Sequence, residues 1–240
     1  MRSIVALFVV SLLISPMAAQ TPPGQDTVKG LAEANKIKND GDRLHFGKQL
    51  VGEWEKVDAK VRKDAFKQMA AALKTKDPIV RAQIAELLGS LGGGDKARDS
   101  DTATKILVDE FKSAEEDLTY FHAVMMAVGK LGTAKGAEAL MKMLRFKDYD
   151  AVASAIASLG QFGEAPNELK SSIVEELIKT FTSVAGPAKD TRNSEAQRRL
   201  AKVEPPVEQA LKQLTKAQEV KGVQGWTTWW NNTGKKSKDW

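Results

Sequence analysis

The 240-residue sequence predicts an all-α protein, an α-solenoid of stacked antiparallel helix pairs. Three observations carry this. A stretch running from an Asp through an amphipathic run to two glycines occurs at 77–92, 117–132 and 148–163; in each, the first glycine (Gly89, Gly129, Gly160) stands twelve positions after the Asp and the second (Gly92, Gly132, Gly163) three further on. An amphipathic partner precedes each copy. The spacing is forty residues from Gly89 to Gly129 and 31 from Gly129 to Gly160, the range of stacked helix-pair repeats.

The first copy, DPIVRAQIAELLGSLG, explains its own helicity. The Asp77 carboxylate can accept from free amides of the first turn, and Pro78 suits the first helical position. Val80, Ile84, Leu87, Leu88 and Leu91 share one face. Gly89 inside that helix costs about 1 kcal/mol relative to Ala, so its return at 129 and 160 predicts a neighbouring helix too close for a side chain. The partner helices carry Val57, Val61, Ala65, Met69 and Leu73, then Ile106, Leu107 and Phe111, then Leu140, Met141, Leu144 and Phe146. The longer first interval is assigned to a loop at 92–101, GGGDKARDSD, where the next interval has GTAKG.

The Asp-Pro-x-Val-Arg start with its Leu-Gly-x-Leu-Gly end resembles HEAT repeats, especially the short HEAT-like repeats of bilin lyases, over roughly residues 58–215. The resemblance implies the fold and leaves the partner open, since such repeats serve many partners. Phe121 and Val152 stand where the first copy has Arg81, so a repeated Asp–Arg ladder is not expected.

The remaining segments follow in order. Residues 1–19 read as a signal peptide: Arg2, an apolar run from Ile4 to Ile14 interrupted by Ser11, and small residues to Ala19. That run is shorter than the roughly 20 apolar residues of a spanning helix. The expectation is an exported chain, periplasmic, in the cell envelope or extracellular. Without a single cysteine, a mature chain of about 220 residues is still long enough to bury a core unaided. Residues 20–30, with Pro22, Pro23 and Gly24, read as a flexible lead. Residues 31–56 read as a helical cap turning at Asn39-Asp40-Gly41-Asp42, with Leu44, Phe46, Leu50, Val51 and Trp54 over the open end of the repeats.

The repeats are assigned to 57–217. Past the third copy, Ile173, Val174, Leu177, Ile178 and Phe181 share a face that Gly186-Pro187 ends. A basic stretch becomes helical from Ser194. Pro205-Pro206 then opens a last helix bearing Val207, Ala210, Leu211 and Leu214. Residues 218–240 hold Trp226, Trp229, Trp230 and Trp240. Their Trp-x-x-Trp-Trp pattern resembles the end of some exported bacterial HEAT-repeat proteins, where it closes the solenoid.

No catalytic constellation emerges. The two histidines, His45 and His122, stand far apart, and there is no His-Glu-x-x-His, cysteine pair or carboxylate cluster at ligand spacing. A Gly-x-Ser-x-Gly elbow is missing, and the glycines at 92–94 lack the Lys-Ser/Thr of a phosphate loop. The expectation is a non-enzyme with no catalytic residue, no metal and no cofactor.

The formal net charge is +5; residues 1–120 hold 18 basic and 18 acidic side chains, residues 121–240 hold 18 and 13. Lys189, Arg192, Arg198, Arg199 and Lys202 form one basic cluster, and Lys235, Lys236 and Lys238 another. Such patches suit anionic partners, and no nucleic-acid motif accompanies them. Met125, Met126, Met141 and Met143 are expected in the core.

The candidate partner-binding residues are polar positions on the concave face of the second helices (Gln83, Glu86, Ser90, Lys130 and Gln161), the basic pair Arg198 and Arg199, and Trp226, Trp229 and Trp230. Met126 and Ser154 occupy equivalent positions on that face. The leading expectation is a scaffold that binds another protein. A second is a binder of acidic glycan or envelope surface through the tryptophans and basic half. The resemblance to bilin lyases implies a third, an enzyme or chromophore-handling protein.

Overall fold

The structure, a computed structural model, describes residues 21–92 and 97–237. The expected signal peptide, residues 93–96 of the expected loop, Lys238 and Trp240 lie outside the described residues. No strand occurs among the described residues. The helices are α1 (Gln25–Ile37), α2 (Asp40–Glu53), α3 (Ala59–Ala72), α4 (Pro78–Gly89), α5 (Ala97–Asp109), α6 (Phe111–Ala114), α7 (Leu118–Leu131), α8 (Ala134–Met143), α9 (Tyr149–Leu159), α10 (Asn167–Ala188), α11 (Ser194–Thr215) and α12 (Gly222–Trp229).

They form two layers. In one, α1, α3, α5, α8, α10 and α12 pack in that order; in the other, α2, α4, α7, α9 and α11. Consecutive helices of a pair pack across the layers, α1 on α2 through α10 on α11. This is the all-α solenoid. A continuous core runs between the layers, from Leu31 and Leu50 through Leu88, Val128 and Leu159 to Leu211 and Trp226.

Local chemistry starts the second-layer helices as expected. Asp77 Oδ1 accepts from the amides of Ile79 (2.9 Å) and Val80 (3.2 Å), Asp117 Oδ1 from Tyr120 (3.0 Å) and Asp148 Oδ1 from Ala151 (2.8 Å). Asn39 and Asn193 cap α2 and α11 in the same way.

The recurring glycines set the layer's spacing. A Cβ on Gly89 would lie 2.8 Å from the Cα of Ala127 on α7; one on Gly129 would lie 2.6 Å from the backbone oxygen of Ser158 on α9. A Cβ on Gly160 would lie 3.1 Å from the Cα of Ala210 on α11. Each glycine thus lets the next helix approach backbone to backbone, as its recurrence predicts. Gly47 holds the corresponding place on α2, where a Cβ would lie 3.0 Å from Cδ1 of Leu87.

Arginines tie successive pairs together, though not as a repeated ladder. Arg62 of α3 reaches Asp99 of α5 at 2.6 Å, donates to the carbonyls of Val57 and Trp54, and lies over the Trp54 ring. Arg81 of α4 donates to the Leu73 carbonyl and to Glu110, and lies 4.0 Å above the Tyr120 ring. Glu110 also accepts from the Tyr120 hydroxyl at 2.9 Å and from Ser113.

Four expectations are corrected. The segment expected as a flexible lead at 20–30 is helical from Gln25, because Val28 and Leu31 are buried against the core. The helical cap expected at 31–56 does lie over the first repeat, with α1 on α3 and α2 on α4, but its turn is shorter than the expected 39–42 because Asn39 already caps α2. The loop expected at 92–101 gives way to α5 from Ala97, where Ser100, Ala103 and Leu107 are buried. The break expected at Pro205-Pro206 is absent. The helix α11 passes through both prolines, because Val203, Val207, Ala210 and Leu211 form one buried stripe across them.

Candidate functional site

The close approach of α4 and α7 leaves a hollow on the solvent side of the second layer. Ala127, the residue that meets Gly89, is too small to fill the space above it. The resulting groove, about 460 Å³, crosses three helices: Lys48 of α2, then Gln83, Glu86, Leu87 and Ser90 of α4, then Met126, Ala127 and Lys130 of α7. Gln161, just past α9, closes the far side. Five of the ten residues singled out from the sequence therefore meet in one place.

The floor is apolar, made by Leu87, Met126 and Ala127. Ser158 Oγ lies 3.3 Å and Gln161 Nε2 3.7 Å from the Met126 sulfur, which fixes that side chain at the floor instead of leaving it in the core. The rim is charged. Lys130 Nζ donates to Ser90 Oγ at 2.9 Å, and Ser90 Oγ donates to the Glu86 carbonyl at 3.0 Å. Lys130 is thus oriented by a neutral acceptor. Lys48, Lys130 and the Glu86 carboxylate form no ion pair among the described residues.

Neither a family model nor a curated protein sequence matches this chain. Among solved structures, the crystal structure of an engineered protein is similar to it, with 15% identity and a TM-score of 0.46 over 89% of this chain and 91% of that one.

A second hollow, about 340 Å³, lies toward the start of α7 and α9, with Leu118, Phe121, His122 and Met125 on one side and Asp150, Ala151 and Ser154 on the other. His122 Nδ1 lies 2.8 Å from Ser154 Oγ, whose own proton goes to the Asp150 carbonyl at 2.9 Å. The Asp150 carboxylate pairs with Lys202. Among the described residues no three metal-ligating side chains converge, and no helix is long and apolar enough to cross a membrane.

The other sequence candidates lie outside the groove. Of the basic cluster, Arg192 is bound to Asp190, whose carboxyl these hydrogen bonds hold below its usual range; Arg199 lies over the Tyr149 ring and Lys202 is paired. Arg198 is exposed on α11. Trp226 and Trp230 are buried where α12 meets α10, and only Trp229 is half-exposed. Lys48 is the charged groove residue that sequence reasoning missed. Its signal was Gly47, the small residue that places α2 in the second layer, in a segment assigned to a cap.

Proposed function

We propose that this chain is a non-catalytic interaction scaffold built of HEAT-like repeats, exported to the periplasm or cell envelope, and that it binds another protein through the groove across α2, α4 and α7. One observation carries the reading: charged side chains without ion-pair partners among the described residues, one of them oriented by Ser90, surround an apolar floor on a face that no other part of the described chain covers. Binding surfaces combine a desolvated apolar centre with a polar rim in this way. The groove's residues come from four successive helix pairs, so a partner is recognised by the stack and not by any one helix pair.

The test is affinity capture from envelope extract with the mature protein, a Lys130→Glu variant and a Trp229→Ala variant, each shown by circular dichroism to be folded. A partner retained by wild type and Trp229→Ala but lost by Lys130→Glu supports the reading. A partner lost only by Trp229→Ala favours the tryptophan surface instead. That surface, where Gln224, Thr228 and Asn232 surround Trp229, suits the glycan-binding alternative, which co-sedimentation with cell-wall material examines directly.

A further inference from the structure

We propose that the occupant of the groove is an extended peptide segment with one long apolar side chain between two acidic residues. This names the partner chemistry of the scaffold reading and rests on it. The argument begins with the two ammonium groups. Lys48 stands on α2 and Lys130 on α7, with α4 between them. Packed helices lie roughly 8–10 Å apart, so axes two helices apart are separated by about 16–20 Å. Lys130 Nζ is drawn toward α4 by Ser90 Oγ, so the two ammonium groups lie within that span, and an extended chain rising about 3.3 Å per residue crosses it in at most five or six residues.

The middle of the path is different chemistry. Glu86 is the one carboxylate among the described residues of the groove and would repel a third acid there, while Leu87, Met126 and Ala127 offer an apolar seat. Gln83 and Gln161 each present an amide donor and acceptor at the rim. They suit the unpaired backbone N–H and C=O groups of an extended segment; a docked helix would satisfy those groups internally. Glu86 also disfavours a uniform polyanion such as a nucleic-acid strand. The chain therefore selects a pattern, acid–apolar–acid, and not negative charge alone.

The experiment is selection of eight-residue peptides from a random library on the immobilised full chain. The affinities of the selected peptides are then measured by fluorescence anisotropy for wild type and for Lys48→Glu, Lys130→Glu and Glu86→Gln. All three side chains are exposed, and thermal melts matching wild type verify the fold. We expect enrichment of Asp or Glu about four residues apart with Leu, Met or Phe midway between them, since alternate residues of an extended chain share a face. We expect at least about a fivefold loss for each Lys variant, tolerance of an acid at the middle position in Glu86→Gln, and weaker binding at high salt. Selected peptides that are basic or uncharged, or whose affinity is unchanged in both Lys variants, overturn the proposal. If capture still retrieves a partner that depends on Lys130, such a result removes the peptide chemistry alone. If no peptide is selected and no groove-dependent partner is captured, the scaffold reading falls with it.

Discussion

A single missing methyl group decides how closely the second-layer helices stack. At Gly129 a Cβ would sit 2.6 Å from a backbone oxygen of α9, and backbone cannot swing aside as a side-chain tip can. Gly129→Ala should therefore cost about 1–3 kcal/mol by overpacking, read as a lower urea midpoint. Gly52, near the end of α2, has nothing within 4 Å of a Cβ. Gly52→Ala should leave stability unchanged or raise it by about 0.5–1 kcal/mol, so the pair separates steric contact from helix propensity. Tyr120 supplies a second residue-level test. Burial, then the neighbouring Glu110 carboxylate, raises its phenol above the ordinary value of about 10. As pH climbs past about 10 the unfolded chain loses this proton before the folded chain does, so stability is full below that pH and falls above it. The fall in urea midpoint between pH 9 and pH 11 should be smaller in Tyr120→Phe than in wild type.

At the scale of the element, caps and turns were the most legible features, because their chemistry is local. Asp77, Asp117 and Asp148 announce three helices through a side chain that reaches only two or three residues ahead. Asp117→Ala should lower stability by about 1 kcal/mol, measurable in the same unfolding assay. Helix ends set by tertiary contact were harder to read. Pro205 and Pro206 lack the N–H groups that would bond the carbonyls of Ala201 and Lys202. Those two residues are exposed, so water can serve the carbonyls while the buried stripe continues past them. The amphipathic pattern outweighed the local breaker. The final turn shows the same contest: the Lys235 amide bonds the Trp230 carbonyl five residues back at 3.0 Å. A Cβ on Gly234 would lie 2.5 Å from the Trp230 ring and 2.7 Å from that of Trp229. Gly234→Ala should displace those rings, seen as a shift in tryptophan emission.

Across the whole molecule, stability depends on sealing both ends of a two-layer stack. The α12 segment does this at one end: Trp226 is fully buried and meets Trp229 edge-on with centroids 5.7 Å apart. Trp226→Ala should cost about 3–5 kcal/mol, and Trp229→Ala distinctly less, in paired thermal melts. The sequence by itself determined that the chain is helical, where most second-layer helices begin, and that glycine would mark their closest approach. Each of those rests on periodicity or on contacts within one turn. The tertiary structure alone decided that the stack begins at Gln25 with the α1–α2 pair, that Trp226 and Trp230 are core, and that Lys48, Glu86 and Lys130 share one groove. Lys48 and Lys130 are distant in the chain and become neighbours of one hollow through the register in which three helices pack. That register is set by where glycine admits the next helix, Gly47 against Leu87 and Gly89 against Ala127, a pairing between distant segments that no local pattern encodes.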